Sequence, residues 1–123
     1  MASTVPANAA VWFEIPVTDI KRSMAFYAEV LGNELKLDET GPNPMAVFPA
    51  KDNASVAGHL YPGKPPAEGA GPTIHLSVAA PLEAAIDRVT RNGGKVVSPT
   101  IEIPAGRFAY CVDPDGNSFG LFN

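Results

Sequence analysis

The sequence contains little of several features that mark specialised proteins. The 123 residues include one cysteine, Cys111, so no disulfide can form within the chain, which suits a reducing compartment. Lysine and arginine number 9 against 13 aspartate and glutamate, without a basic run, which argues against nucleic-acid and anionic-membrane partners. No apolar run approaches the ~18 residues needed to span a bilayer. The opening MASTVPANAA lacks the features of a secretory signal, so we expect a cytoplasmic protein.

The remaining composition is that of an ordinary globular protein. Hydrophobic residues make up 46% of the chain and charged residues 18%, with a formal net charge of −4. A chain of this length can bury one core without disulfides or metals. We therefore expect a single domain over residues 1–123.

The first half reads as a strand, a helix and three short strands. Residues 11–17 are rich in β-branched and aromatic types, and Thr18 or Asp19 can cap a helix that runs to about residue 31. Gly32 suits a left-handed helix end. Short strands are predicted near 35–37, 45–48 and 56–61.

The second half repeats this order after a Pro/Gly-rich connection at residues 63–72. A strand at 73–78 precedes a helix whose apolar face consists of Leu82, Ala85, Ile86 and Val89. Strands are predicted near 95–97, 108–112 and 118–122. Residues 9–62 and 73–123 thus form two similar modules of mixed α+β class, offset by the 61 positions that separate Glu14 from His75.

Three segments resemble the vicinal oxygen chelate superfamily, which includes glyoxalase I, extradiol dioxygenases and bleomycin resistance proteins. They are FEIPVTDIKRSMAFYAEVLG, IHLSVAAPLEAAIDRVTRNGGKV and FAYCVDPDGNSFGL. The resemblance implies two βαβββ modules that form a cupped, incomplete eight-stranded barrel around a cavity. It also implies a homodimer.

The same resemblance implies a metal site with one ligand from each of four strands. In this sequence those positions fall on Trp12, on Thr73, on Gly120 and on either His59 or Gly58. Indole and glycine side chains offer a divalent cation no donor atom. We therefore expect no metal at the family position and no other cofactor.

Strand alternation predicts which other residues line the cavity. The expected walls mix aromatic and small polar side chains, as small-molecule pockets usually do. The predicted ligand-binding residues are Trp12, Tyr61, Thr73, Ser77, Ser118, Gly120 and Phe122.

Three further residues carry the candidate chemistry. Glu14 and His75 occupy equivalent positions in the two modules, and His59 falls on the same predicted face. Two imidazoles and one carboxylate could form a displaced site for iron, zinc or another divalent metal. Alternatively, Glu14 acts as a general base with His59 or His75 as its acid or hydrogen-bond partner.

These residues leave two main hypotheses open. The first is a metal-independent protein that binds a small organic molecule between its modules. The second is a lyase, isomerase or dioxygenase-type enzyme that uses Glu14 with His59 and His75. A subunit whose interfaces matter more than its cavity is a third possibility.

Overall fold

A computed structural model describes residues 4–52 and 54–123 of the chain. Over those residues the chain forms two helices and nine strands. In chain order they are β1 (Trp12–Val17), α1 (Ile20–Leu31), β2 (Lys36–Asp38), β3 (Met45–Val47), β4 (Ala57–Pro62), β5 (Ile74–Ser77), α2 (Leu82–Arg91), β6 (Lys95–Val96), β7 (Ile101–Ile103), β8 (Gly106–Val112) and β9 (Ser118–Phe122).

Helix α1 begins and ends where the sequence predicts. The Asp19 carboxylate accepts a hydrogen bond from the Arg22 amide at 3.1 Å, which satisfies one of the free N–H groups of the first turn. Gly32 ends the helix with φ of 74°, a left-handed conformation that glycine adopts without steric cost. One face is buried, formed by Ser23, Phe26, Tyr27, Val30 and Leu31.

The strands form two sheets with matching internal registers. The first sheet has the order β1-β4-β3-β2, and the second has β5-β9-β8-β6 with β7 also paired to β8. Glu14 lies opposite His59 in the first sheet, as His75 lies opposite Gly120 in the second. Each residue of the second pair lies 61 positions after its counterpart, so the duplication extends to strand register. His59, not Gly58, is therefore the counterpart of Gly120.

Both helices lie on one side of this pair of sheets. Helix α1 contacts β3 and β4, helix α2 contacts β6, β8 and β9, and the helices contact each other. Their buried faces join the strands in one hydrophobic core. We call the other side of the two sheets, which neither helix covers, the open face.

The second sheet contains one strand that the sequence analysis missed. Strand β7 pairs antiparallel with β8, with Ile101 opposite Phe108. It is three residues long and lies between Pro99 and Pro104, which hid its Ile-Glu-Ile alternation. The described residues thus hold nine strands instead of eight, in two separate sheets and not in a closed barrel.

The Asp-Pro-Asp-Gly turn before β9 also joins the two modules. The carboxylate of Asp113 is buried and accepts a 2.7 Å hydrogen bond from the Tyr27 hydroxyl of α1. Asp115 accepts hydrogen bonds from Thr18 at 2.6 Å and from Arg22 at 2.7 Å. The Asn117 side-chain amide donates to the Pro16 carbonyl at 2.8 Å. The hairpin predicted from the sequence is therefore also the polar junction between the modules.

No helix in the described part of the chain has the length and apolar character needed to cross a membrane.

Candidate functional site

The open face carries the side chains that alternate with the core residues of each strand. On β1, Ile15 and Val17 are buried against the core. Trp12 and Glu14 therefore project to the open face, where the Trp12 residue is 45% exposed. This placement agrees with the alternation predicted from the sequence.

Trp12, His59 and Glu14 form a continuous polar chain across β1 and β4. The indole Nε1–H of Trp12 donates to His59 Nδ1 at 2.8 Å. On the other side of the imidazole, His59 Nε2 lies 3.3 Å from Glu14 Oε1. The His59 side chain is 8% exposed, whereas the Glu14 side chain is 65% exposed. A buried imidazole therefore connects an indole to an accessible carboxylate.

The Trp12 hydrogen bond determines the tautomer of His59. An indole N–H can only donate, so Nδ1 must accept and carries no proton. In the neutral ring the proton then lies on Nε2, the nitrogen that is 3.3 Å from Glu14 Oε1. Protonation at Nδ1 would break the Trp12 bond. An imidazole that accepts at Nδ1 therefore has no positive charge to offer Glu14.

Tyr61 and a nearby loop form a groove beside the Trp12, His59 and Glu14 side chains. The Tyr61 ring meets the His59 ring edge-on, with centroids 6.2 Å apart. A groove of about 480 Å³ is lined by Glu14, His59 and Tyr61, and also by the loop of residues 41–44 and Met45 of β3. Residues 41–44 have the sequence GPNP, which is typical of a turn but does not show which surface the turn will face.

A second, smaller cavity lies along the line where the modules meet. We call this space of about 220 Å³ the seam cavity. Its walls include Ile15 and Pro16 from one module, Ile74 and Ser118 from the other, and Glu14 at one side. Thr73 and Ser118 share a 2.6 Å hydroxyl hydrogen bond there. The connection between the modules contributes Pro66, Ala70, Gly71 and Pro72.

His75 belongs to a different group of side chains, on the open face of the second sheet. Its ring centroid lies 5.2 Å from Phe108 and 5.7 Å from Tyr110. Phe122 stacks on Phe108 at 6.1 Å. A Cβ added at Gly120 would lie 2.2 Å from His75 Nδ1, so the absence of a side chain at Gly120 makes room for the imidazole. Phe108 belongs to this group although no sequence pattern singled it out as a site residue.

The predicted site residues are thus divided among several places. Glu14 and His59 meet, and Trp12 and Tyr61 join them, while Thr73 and Ser118 meet at the seam. His75 and Ser77 line a separate cavity of about 260 Å³ with Phe13 and Val56. In residues 4–52 and 54–123 no three His, Cys, Asp or Glu side chains lie close enough to hold a metal ion. Glu14, His59 and His75 therefore do not form the displaced three-ligand site that we considered.

Two other ionisable residues, Cys111 and Arg107, do not line the groove. Burial raises the pKa of the Cys111 thiol to about 11, so this cysteine stays protonated near neutral pH and is a poor nucleophile. Arg107 pairs with Glu83 and lies 3.7 Å from Glu102. The positive charge of Arg107 is therefore balanced by these two carboxylates.

The fold and the site define a protein of two duplicated βαβ-type modules with a groove and a seam cavity. The family model described as the Glyoxalase/Bleomycin resistance protein/Dioxygenase superfamily matches residues 9–121. The chain therefore belongs to this superfamily, as the sequence resemblance predicted.

Individual relatives agree with this assignment. The chain is 30% identical over 117 residues to a Mycobacterium tuberculosis protein named "Putative glyoxylase CFP32". The alignment covers 90% of this chain but 44% of that protein, so the chain spans less than half the length of this relative.

Solved structures show the same fold. A glyoxalase/bleomycin resistance protein from Albidiferax ferrireducens superposes with a TM-score of 0.73 at 20% identity, covering 94% of this chain and 98% of that one. One from Streptomyces gives a TM-score of 0.67 at 26% identity, covering 91% and 97%.

The four positions at which the superfamily resemblance implies metal ligands do not fit a metal here. Trp12 and Gly120 supply no donor, and the Thr73 hydroxyl is engaged with Ser118. His59 is the one strong donor among the four, and its two nitrogens face Trp12 and Glu14. Such a set lacks the three or four nitrogen, sulfur or carboxylate donors that zinc and related metals prefer.

Proposed function

We propose that this chain binds a small organic molecule on its open face, in the groove beside Glu14 and His59, without a divalent metal. The observation that carries the proposal is the Trp12–His59–Glu14 chain. It places one accessible carboxylate in the wall of the groove, beside an imidazole ring that a hydrogen bond from Trp12 holds in position.

The dimensions and chemistry of the groove support this proposal. Its volume of about 480 Å³ lies within the range of ordinary ligand pockets. Prolines, Met45 and the Tyr61 ring provide apolar wall, and Glu14 provides a strong acceptor. A few polar groups on an apolar wall orient a ligand while most of the binding free energy comes from surface burial.

Amide NMR with a library of small aldehydes, ketones, amines and carboxylic acids tests this function. The protein is purified without a histidine tag and treated with EDTA. We expect binders to shift the amide resonances around Glu14, His59 and Tyr61, and added zinc to leave their affinities unchanged. The Glu14→Gln variant should weaken binders that contact the carboxylate. The Glu29→Gln variant, altered at an exposed position of α1, should not. Binding that requires zinc, or that maps only outside the open face, would refute the proposal.

A second candidate function is acid–base catalysis by the same pair. The 3.3 Å separation of His59 Nε2 and Glu14 Oε1 favours it, because a carboxylate and an imidazole at this distance can act on the same bound molecule. Glu14 would remove a proton from a carbon next to a carbonyl group. The C–H electron pair would move into an enolate, and Glu14 would return the proton to complete an isomerisation.

Deuterium exchange distinguishes catalysis from binding alone. Catalysis predicts that the wild-type protein accelerates exchange of the α-protons of a bound ketone or aldehyde with D2O, and that Glu14→Gln abolishes the acceleration. The Glu29→Gln variant should exchange like the wild type. A bound carbonyl compound that exchanges at its uncatalysed rate would exclude this second function and leave the binding function standing.

A further inference from the structure

We propose that the ligand is an organic cation, an amine that carries a compact apolar ring, bound with its ammonium group at Glu14 and its ring in the seam cavity. This inference rests on the proposed binding function and adds the chemical class of the ligand.

The position of Glu14 is the first observation. Glu14 lines both the groove and the seam cavity, and it is the residue that these two spaces share. Glu14 is therefore the one residue with which a molecule in either space can interact. A molecule that occupies both must present to Glu14 a group that carboxylates bind well, which is a hydrogen-bond donor or a cation.

The charge balance selects a cation. Since the Trp12 bond holds Nδ1 of His59 as an acceptor, the imidazole facing Glu14 is neutral and leaves the carboxylate charge uncompensated. Neither Lys nor Arg lines the groove or the seam cavity among the described residues. The chain as a whole carries a formal net charge of −4, which adds long-range attraction for cations. An anionic ligand would meet repulsion at Glu14 without a compensating partner.

The shape and walls of the seam cavity select the rest of the molecule. Its volume of about 220 Å³ exceeds the about 150 Å³ of an apolar cavity that accepts benzene. Ile15, Ile74 and the prolines of the connection give it apolar walls, and Ser118 supplies one hydroxyl. Burial of a ring there also displaces water from the neighbourhood of Glu14. An exposed carboxylate alone binds a cation weakly, and this desolvation strengthens the pair.

Titration with three compounds of nearly equal shape tests the charge requirement. The probes are 2-phenylethylammonium, neutral 2-phenylethanol and anionic 3-phenylpropanoate, each followed by amide NMR with EDTA-treated protein. We expect the ammonium compound to bind roughly tenfold or more tightly than the alcohol, the order of magnitude for one charge-assisted hydrogen bond. The anion should bind most weakly.

Two variants locate the two ends of the ligand. Glu14→Gln keeps the shape of the side chain and should remove the preference for the ammonium compound over the alcohol. Ala70→Leu, at a position that lines the seam cavity, should weaken both ring compounds. Its matched control is Ala67→Leu, at an exposed position of the same connection that does not line the cavity. The Glu29→Gln variant controls for the general loss of one negative charge.

The outcomes separate this inference from the function on which it rests. Equal or tighter binding of the alcohol or the anion, or an ammonium preference that survives Glu14→Gln, would overturn the cation assignment. Neutral or anionic members of the larger library could still bind the open face, and the proposed function would then stand alone. Failure of every compound to perturb the open face would overturn both.

Discussion

At the scale of single residues, the chemistry of the open face depends on one indole. Trp12 contributes a donor and no acceptor, so its hydrogen bond fixes which nitrogen of His59 carries the proton. That tautomer places the proton on Nε2, 3.3 Å from Glu14 Oε1, and Glu14 in turn is the accessible charged group of the groove and the seam cavity. The roles of three residues are thus coupled, and a change at one of them alters the others.

Replacement of Trp12 by Phe tests this coupling. In the wild-type protein, long-range ¹⁵N NMR should show His59 protonated at Nε2 and unprotonated at Nδ1 at neutral pH. The Trp12→Phe variant keeps an aromatic side chain but loses the donor, so we expect a mixture of tautomers. His75, which lies among the rings of the second sheet, is the internal reference and should be unchanged. A wild-type His59 protonated at Nδ1 would contradict the hydrogen bond.

At the scale of the elements, helix α1 connects the local sequence to the site. Its N-terminus follows directly from β1, the strand that carries Trp12 and Glu14, so the cap at Asp19 determines where the strand ends and the helix begins. The helix then buries Tyr27, which is fully covered and bonded to Asp113 of the other module. Burial raises the pKa of the Tyr27 hydroxyl well above its usual value, and the nearby Asp113 charge raises it further. The hydroxyl therefore remains a donor at all physiological pH values.

The cap of α1 should contribute measurably to stability. Asp19→Ala removes the acceptor for the Arg22 amide, and we expect the free energy of unfolding to fall by about 1 kcal/mol. Asp19→Asn retains a capping oxygen and should stay within about 0.5 kcal/mol of the wild type. Urea denaturation followed by circular dichroism measures both. Equal losses in the two variants would mean that the carboxylate charge, and not the cap, is responsible.

At the scale of the whole molecule, the two modules are held together by a shared core and by the turn before β9. Phe119 of β9 packs against Phe26 and Tyr27 of α1, with ring centroids 5.9 Å and 5.4 Å away. Next to these rings, the Asp115 side chain is 4% exposed and pairs with Arg22 of the first module. Asn117 of the same turn bonds to Pro16, and both residues line the seam cavity, so the junction also supports the walls of that cavity.

The pairing at Asp115 predicts a specific response to acid. Burial alone would raise the pKa of Asp115, but the hydrogen bonds from Thr18 and Arg22 and the Arg22 charge outweigh it and lower the pKa below 3.8. A carboxyl whose folded-state pKa is depressed stabilises the fold above its unfolded pKa. That contribution is lost as the pH falls through the folded value. We therefore expect stability to decline from about pH 4 downwards.

Asp115→Asn removes this titration. The variant should be less stable than the wild type at neutral pH and should lose less stability on acidification. Thermal unfolding of both proteins, followed from neutral pH to below about pH 4, measures the difference. Asp87→Asn, at an exposed position of α2, is the control and should retain the wild-type profile. An unchanged acid dependence in Asp115→Asn would assign the transition to other carboxylates, among them Asp38 and Glu83, whose pKa values are also lowered.

The sequence alone determined both helices and eight of the nine described strands, because helix ends and strand alternation depend on short-range physics, and the order of its residue types also showed the duplication and the family. Asp19 and Gly32 specify the ends of α1 through local hydrogen bonding and backbone conformation, and strand alternation placed Trp12, Glu14 and His59 on one face. The 61-residue repeat is visible from residue types alone, and the structure repeats it in the strand registers. Strand β7, with three residues and a proline close to each end, was too short to be recognised in the sequence.

The tertiary structure decided which of the predicted site residues meet. Glu14 and His59 come together because β1 pairs with β4, a contact between residues 45 positions apart in the chain. His75 occupies the equivalent position in the other sheet, and the missing side chain at Gly120 lets its ring fold over that strand, among Phe108 and Tyr110. The distance between His75 and the Glu14–His59 pair depends on how the two sheets pack through their helices. That packing is a property of the whole core, which no local sequence pattern encodes.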